Sequence, residues 1–226
     1  MANLLAQLGS LAAAGMMLIS SSLDEAAPQH DVDGNLFLIN RQWRVSEHFV
    51  PHTVVADVQG DVRSMRPDAA AALKEMFDAC YAETGKRMVT ISGYRSYATQ
   101  SNIYNRKLRS TGSAAKADEY VARPGASEHQ LGLAMDVNQR MREDGLTSSF
   151  GRTETGKWLR ENCWRFGFIL RYQEGWEDVT GYSYEPWHVR YVGKEVSRQI
   201  YEQNIPFETF LLAYRESVLI EIVAGE

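Results

Sequence analysis

Two short segments of the chain contain side chains that together could hold a metal ion and support hydrolysis. Residues 127–136 include His129 and Asp136, and residues 185–188 include Glu185 and His188. Zinc binds neutral imidazole nitrogens and carboxylate oxygens. A hydrolytic zinc site needs three protein ligands, an open position for water and a nearby base. The two segments supply two imidazoles, one carboxylate beside an imidazole and one spare carboxylate.

The spacing within the first segment decides whether its two candidate ligands can meet. His129 precedes Asp136 by seven residues, an odd separation that does not by itself place both side chains on one strand face. Gly132 lies between them and permits a tight turn or bulge, so that two adjacent strand segments could converge on one point. The alternative is that Asp136 is a structural partner of an arginine or of backbone groups.

The second segment places a carboxylate close to an imidazole. Glu185 lies three residues before His188, and the intervening Pro186 restricts the backbone of Glu185 to an extended form. Such a carboxylate could take a proton from an activated water and return it to a leaving amine. The competing interpretation makes Glu185 a structural partner of an arginine or of backbone groups.

A third segment, residues 92–100, follows a predicted buried strand and leads into a predicted helix. Its Arg95 could bind a carboxylate with two hydrogen bonds or stabilise a developing oxyanion. Taken alone, Arg95 would be interpreted as an ordinary surface arginine.

Bulk properties limit the classes of protein to consider. A chain of 226 residues is long enough for one core, so we expect one domain with additions. The net charge of -5, without a cluster of Lys or Arg, argues against a nucleic-acid partner. Cys80 and Cys163 are too few for a disulfide scaffold and lack metal-ligand spacing. They are either two buried free thiols or one bridge.

The first 33 residues differ from the rest. Residues 4–19 are mostly apolar, which is too short for a membrane span but fits the hydrophobic region of a signal peptide. No Lys or Arg precedes them, and the first basic residue is Arg41. We therefore expect residues 1–33 to be an export-signal remnant, a weak membrane anchor or a helix packed on the domain. Residues 34–226 would form that domain.

Helical spacing and short apolar runs alternate along the chain, which predicts an α+β fold with a small, mostly antiparallel sheet. One helix should begin at Pro67 and stop at Gly85, and another should be capped by Thr155 and closed by Gly167. Residues 110–126 are predicted to form a loop. Further helices are expected at 97–109, 194–203 and 206–214, and strands at 35–39, 87–91, 168–172 and 187–192.

The three segments together resemble the LAS zinc peptidases, and most closely their VanY-like D-alanyl-D-alanine carboxypeptidases. The pattern S-G-Y-R-S-x-x-x-Q matches residues 92–100, S-x-H-x-x-G-x-A-x-D matches residues 127–136, and E-x-W-H matches residues 185–188. The resemblance extends over residues 34–204 and implies the LAS/Hedgehog-like fold.

The resemblance also implies roles for individual residues. It makes Glu185 the general base and acid, and lets Arg95 orient the scissile carbonyl or the substrate carboxylate. One Zn²⁺ would be bound by His129, Asp136 and His188. The substrate cleft would be lined by Gln100, Ser127, Tyr172 and Trp187.

The implied activity is the zinc-dependent removal of a C-terminal D-alanine from peptidoglycan stem peptides by a monomer in a bacterial cell envelope. Within the family, the same residues serve L,D-carboxypeptidases acting on tetrapeptide stems, D,D-dipeptidases and endopeptidases. A non-catalytic, zinc-containing wall-peptide binding domain and a Hedgehog-like signalling domain are further alternatives. The shape of the cleft and the segment 110–126 would decide the substrate.

Overall fold

The computed structural model describes residues 34–139 and 146–224, with side chains up to residue 215. The predictions for residues 1–33 therefore lie outside the described part of the chain. Within the described ranges, no helix combines the length and apolar character that a bilayer span requires.

The central element is a four-stranded antiparallel sheet. Its strands are β3 Val89–Ser92, β4 Ala134–Asn138, β5 Phe168–Leu170 and β6 His188–Tyr191. They lie in the order β3-β4-β6-β5 across the sheet. A separate antiparallel pair is formed by β1 Val54–Val55 and β2 Ser64–Met65. The predicted α+β class with a small antiparallel sheet is confirmed.

Helices surround the sheet. The helices are α1 Pro67–Thr84, α2 Tyr97–Thr111, α3 Ala114–Asp118, α4 Glu154–Asn162, α5 Glu177–Thr180, α6 Lys194–Gln203 and α7 Phe207–Ala224. Three 3₁₀ turns cover Glu128–Leu131, Ser148–Arg152 and Cys163–Phe166. Proline at the first position of α1 and the left-handed Gly85 after it confirm the predicted start and stop.

One main core joins the helices to the sheet. Leu73 and Met76 of α1, Met135 of β4 and Leu159 of α4 belong to a single cluster of buried side chains. Phe207 belongs to a smaller cluster that packs α6 and α7 against β5 and the end of β6. The main cluster reaches the candidate site, because Trp187 packs against it and also lines the cavity in front of the candidate ligands.

The two cysteines are buried and free. This agrees with the prediction of two buried thiols and contradicts the alternative of a bridge.

The predicted strand at residues 35–39 is wrong, because this segment is irregular. Phe37 and Ile39 are buried as expected of an apolar run. The carbonyls of Asn35 and Phe37 accept hydrogen bonds from the Arg190 guanidinium at 3.0 and 2.7 Å, in place of a neighbouring strand. A buried arginine therefore satisfies backbone groups that a sheet would otherwise pair.

Two other local predictions need correction. The cap of α4 is Thr153, whose hydroxyl accepts from Gly156 N at 3.0 Å, whereas Thr155 lies buried in the first turn. The segment 110–126 is not entirely a loop, because it contains the short helix α3.

Candidate active site

The register of β4 and β6 places Asp136 directly opposite His188. Asp136 also pairs with Ser92 of β3, next to an irregularity in the β3–β4 register. Neighbouring residues across antiparallel strands project to the same face of the sheet. As a result, Asp136 Oδ1 lies 3.0 Å from His188 Nδ1, and both side chains are buried.

His129 reaches the same point from outside the sheet. It lies in the 3₁₀ turn Glu128–Leu131, which ends at Gly132 with a φ of +70°. The predicted turn at Gly132 is therefore present, but the prediction that His129 lies on a strand is wrong. His129 Nδ1 lies 2.8 Å from the Gly93 carbonyl, which can only accept, so Nδ1 carries the proton. The free Nε2 lies 3.3 Å from Asp136 Oδ1.

These three side chains form a group that fits one Zn²⁺ ion. One ligand atom from each of His129, Asp136 and His188 lies within 4.8 Å of the others. Two imidazole nitrogens and a carboxylate oxygen are donors that zinc binds in hydrolytic sites. The hydrogen bond from His129 to Gly93 fixes its tautomer, as is usual for metal-binding histidines.

Burial and neighbouring charges shift the pKa values of His129, His188 and Asp136 in different directions. Burial, with the positive charge of Arg95, lowers the pKa of His129 to about 4. Burial opposes charge on His188, but hydrogen bonds to Asp136 and Glu128 raise its pKa to about 9. The pKa of Asp136 is lowered, because both imidazoles outweigh the opposing effect of burial. Asp136 is thus an ionised carboxylate at the centre of the group.

Glu128 lies behind His188, on the opposite side of the ring from Asp136. Its Oε2 is 3.5 Å from His188 Nε2, and neither atom has another hydrogen-bond partner within residues 34–139 and 146–215. Its Oε1 accepts from Arg171 Nε at 2.9 Å and from Arg190 Nη1 at 2.8 Å. Burial opposes ionisation of Glu128, but the two arginines lower its pKa.

The two arginines belong to a buried network of charges. Arg171 also binds Glu208 of α7 through two hydrogen bonds of 2.9 and 2.5 Å. Arg190 is held by the carbonyls of the segment 34–39. Because Arg171 and Arg190 are fully buried, their charges require these partners. The network joins α7 to the back of the candidate metal group.

Glu185 lies on the open side of the group. Its Oε2 is 3.9 Å from His188 Nδ1, and its backbone N–H donates to Tyr172 O at 3.0 Å. Burial raises the pKa of Glu185 to about 7, and the negative charge of Asp136 acts in the same direction. A carboxyl group with such a pKa can hold a proton or release it near neutral pH.

Arg95 is held in a fixed position beside Asp136. Its Nε donates to Gln100 Oε1 at 3.0 Å, Nη1 to Ser92 Oγ at 3.0 Å, and Nη2 to Ser127 Oγ at 3.3 Å. Nη1 also lies 3.6 Å from Asp136 Oδ2. These bonds use three of the five N–H groups of the guanidinium, so Nη2 keeps a donor for another oxygen.

Gln100 and Ser127, predicted to line the cleft, both contact Arg95. Gln100 is almost fully buried, and its amide nitrogen donates to Ala122 O at 2.7 Å. Because each end of its amide is bonded, the Gln100 side chain is fixed in place and in turn fixes the Arg95 guanidinium.

A cavity of about 250 Å³ opens in front of these residues. Tyr172 and Trp187 lie on its wall, together with the apolar side chains of Val121 and Leu146. The Tyr172 ring lies 5.0 Å from the His188 ring. The structure therefore brings all the predicted site residues into one cleft.

The sequence analysis did not identify the residues behind the site. The missed residues are Glu128, Arg171, Arg190 and Glu208. A signal for two of them was present, since Arg171 and Arg190 each interrupt an otherwise apolar, strand-like run. A charged residue in a buried strand needs a partner.

Three comparisons relate this site to known proteins. The chain is 42% identical over 147 residues to a D-alanyl-D-alanine carboxypeptidase of Enterococcus faecalis, covering 62% of this chain and 52% of that protein. The solved structure of the LdcB LD-carboxypeptidase matches with a TM-score of 0.73 and 40% identity, covering 79% of this chain and 86% of the other. The D,D-pentapeptidase VanY in complex with Zn(II) matches with a TM-score of 0.67 and 36% identity, covering 79% and 99%.

The chain spans about half to two thirds of the length of the first curated relatives that it matches. Residues 62–194 match the profile of a family described as VanY, D-alanyl-D-alanine carboxypeptidase. That range contains all three segments of the candidate site. The chain belongs to the VanY family of D-alanyl-D-alanine carboxypeptidases, within the LAS group of zinc peptidases.

Proposed function

We propose that this protein is a zinc-dependent carboxypeptidase that removes the C-terminal D-alanine from peptidoglycan stem peptides. The observation that carries the proposal is the convergence of the His129, Asp136 and His188 donor atoms within 4.8 Å. Glu185 and Arg95 line the same cavity. The D-alanyl-D-alanine specificity of the similar Enterococcus protein supports the choice of substrate.

In this proposal the metal is held by His129 through Nε2, by His188 through Nδ1 and by an oxygen of Asp136. These are the atoms that face one another in the structure. A bound zinc ion supplies Lewis acidity, which polarises a carbonyl and lowers the pKa of a water molecule. The second nitrogen of each imidazole faces Gly93 O or Glu128, which keeps each ring in one orientation.

Glu185 moves the proton. Its carboxylate takes a proton from the attacking water and then gives it to the amine of the departing D-alanine. The raised pKa of Glu185, near 7, suits both steps, because the group is neither permanently ionised nor permanently protonated near neutral pH. Pro186 and the backbone hydrogen bond to Tyr172 hold Glu185 beside the metal group.

Arg95 orients the substrate. Its free Nη2 donor can bind the oxygen of the scissile carbonyl or one oxygen of the terminal carboxylate. Gln100, Ser92 and Ser127 hold the guanidinium in place, so it loses little freedom when substrate binds. Tyr172 and Trp187 form the wall against which the peptide lies.

The proposal includes the cellular location and the oligomeric state of the protein. Stem peptides of peptidoglycan are substrates outside the cytoplasm, so residues 34–226 would act as a catalytic domain in the cell envelope of a bacterium. We expect the domain to act as a monomer, because the cavity and all the proposed site residues come from one chain.

Cleavage of defined stem peptides tests this function. The purified protein is incubated with tripeptide, tetrapeptide and pentapeptide stems, with and without a chelator, and the products are identified by mass spectrometry. We expect loss of one alanine from the pentapeptide alone, and no loss after chelation. Loss of alanine from the tetrapeptide would instead favour the L,D-carboxypeptidase activity named for the similar LdcB structure. Binding without metal-dependent cleavage would contradict an enzymatic function.

A further inference from the structure

A second cavity of about 250 Å³ adjoins the catalytic cleft. Val121 and Tyr182 line both cavities and so form a shared wall. The second cavity carries three arginines, Arg41, Arg44 and Arg123. None of these residues belongs to the catalytic group described above.

Arg41 and Arg44 project from a well-defined turn. Asn40 Oδ1 accepts from the backbone N–H groups of Gln42 and Trp43 at 2.9 and 3.1 Å. Val45 N donates to Gly125 O at 2.9 Å, and a Cβ at Gly125 would come within 2.3 Å of Val45 O. The turn therefore packs directly on the backbone next to Ala126 and the first metal segment.

The Arg41 guanidinium packs against the Tyr182 ring and the backbone of Gly181. It lies 4.8 Å from the centroid of the Tyr182 ring, and a Cβ at Gly181 would approach it to 3.2 Å. Its Nη2 donates to Asp118 O at 2.5 Å. Stacking of this kind holds a guanidinium flat while its edge remains available for hydrogen bonds.

The charges in this cavity do not balance. Asp118 is the one carboxylate among the described residues on its wall, and Arg123 binds both of its oxygens at 2.8 and 2.6 Å. Within residues 34–139 and 146–215, neither Arg41 nor Arg44 forms an ion pair. The buried hydroxyl of Tyr182 lies beside the Arg41 guanidinium, and its own proton has no acceptor there. Arg41 Nη2 donates to Asp118 O, and Arg44 Nε and Nη2 donate to Arg41 O. Each guanidinium therefore keeps further N–H groups for a ligand, and neither positive charge is neutralised by a carboxylate of the described residues.

A row of neighbouring aromatic side chains, tilted against one another, connects the two cavities. The His188 ring lies 5.0 Å from Tyr172, the Tyr172 ring 5.0 Å from Tyr182, and the Tyr182 ring 4.8 Å from the Arg41 guanidinium. An extended peptide advances by about 3.3–3.6 Å per residue, so about four residues of substrate at most cover this route.

We propose that Arg41 and Arg44 form a subsite for a carboxylate that the peptide substrate carries three or four residues before the scissile bond. Tyr182 supplies a further hydrogen bond from the shared wall. The inference rests on the proposed carboxypeptidase function, because that function places the scissile bond at the metal group. It adds a determinant of substrate choice upstream of the terminal D-alanine.

Two pentapeptides that differ in one group test the subsite. Their second residue is γ-linked D-glutamate in one and D-glutamine in the other, so a carboxylate is replaced by a carboxamide. We expect kcat/KM of the unaltered protein to be about 10-fold higher for the carboxylate peptide. In the Arg41→Gln, Arg44→Gln double variant, the two peptides should be cleaved at similar rates, close to the rate of the unaltered protein on the carboxamide peptide.

Controls separate this effect from a general loss of charge or of folding. Arg198→Gln removes an exposed arginine of α6 that lines neither cavity, and should keep the full preference. Two single variants at position 44 give a second control. Arg44→Gln should lose part of the preference for the carboxylate peptide, and Arg44→Lys, which keeps the positive charge, should retain more of that preference than Arg44→Gln. Equal cleavage of both peptides by the unaltered protein, or equal losses on both peptides in the double variant, would overturn the proposal.

The test also distinguishes the subsite from the proposed function. Calorimetric binding of the same two peptides does not depend on turnover. If neither peptide is cleaved, the carboxypeptidase function fails, while tighter binding of the carboxylate peptide that depends on Arg41 and Arg44 would still support the subsite. Cleavage and binding without any carboxylate preference would refute the subsite alone.

Discussion

Glu128 Oε2 lies 3.5 Å from His188 Nε2, on the far side of the imidazole from Asp136. Both atoms are buried and have no other hydrogen-bond partner in the described part of the chain. A carboxylate in this position keeps the proton on Nε2 and leaves Nδ1 free for a metal ion. Two neighbouring residues of one motif thus have separate tasks, since His129 faces the metal group and Glu128 supports the other histidine.

The contact predicts that Glu128→Gln weakens metal binding. Removal of a supporting carboxylate typically costs about 10- to 100-fold in metal affinity. We expect a loss in that range, measured by competition with a chromophoric zinc chelator. An unchanged zinc affinity would remove Glu128 from this role.

Glu208→Gln is the matched control for Glu128→Gln. Both substitutions remove one carboxylate from the buried network around Arg171, so both should destabilise the fold by about 3–5 kcal/mol. Only Glu128 contacts a proposed metal ligand. We expect urea unfolding to show similar losses, while the zinc affinity of the Glu208 variant stays close to that of the unaltered protein.

Local signals in the sequence were sufficient for most of the helices. Pro67 and Gly85 delimit α1 because proline suits the first turn and glycine accepts the left-handed conformation after the last. The predicted bounds 194–203 coincide with those of α6. The strand predicted at residues 35–39 failed because a distant arginine, Arg190, bonds its carbonyls. An apolar run cannot reveal such a partner.

The candidate metal ligands could be predicted from sequence motifs rather than from local helix or strand signals. His129, Asp136 and His188 lie in segments with recognisable motifs, and the structure brings them together. The residues that support them are separated by up to 80 positions in the chain and meet only through the strand register and the docking of α7. Glu128 and Arg171 have no local pattern that indicates their pairing, so only the folded structure connects them.

Glu185→Gln should separate metal binding from turnover. The amide cannot accept a proton from water or return one to the leaving amine, so kcat should fall by about 10²- to 10⁴-fold. Zinc content, measured by atomic absorption, should remain unchanged because the proposed ligands are intact. Glu177→Gln, a change at an exposed glutamate, is the control and should keep full activity. Near-normal turnover of the Glu185 variant would exclude Glu185 as the base.

Arg95→Lys should impair the reaction although it keeps the positive charge. An ammonium group cannot donate at once to Gln100, Ser92 and Ser127 while keeping a donor for substrate. We expect kcat to fall by about 10²- to 10³-fold in a steady-state assay. Arg109→Lys, at an exposed position late in α2, should have no effect. A normal rate in the Arg95 variant would show that charge alone is sufficient.

The free thiols should be inert in the native protein. Burial raises the pKa of Cys163 to about 12 and also raises the pKa of Cys80. Since the thiolate is the reactive form, at pH 8 the thiolate fraction of Cys163 falls below that of an ordinary cysteine by a factor on the order of 10³. A thiol reagent such as DTNB should react with neither cysteine before unfolding and with both afterwards. Rapid reaction of the native protein, or fewer than two thiols after denaturation, would contradict the structure.

Zinc reconstitution tests the central claim most directly. Metal-free protein is titrated with zinc, and bound zinc and the release of D-alanine from a pentapeptide stem are measured on the same samples. The proposed site predicts that both quantities rise together and saturate at one zinc per chain, and that His188→Ala abolishes both. Release of D-alanine by the metal-free protein, or saturation of activity without stoichiometric zinc, would contradict a zinc carboxypeptidase centred on His129, Asp136 and His188.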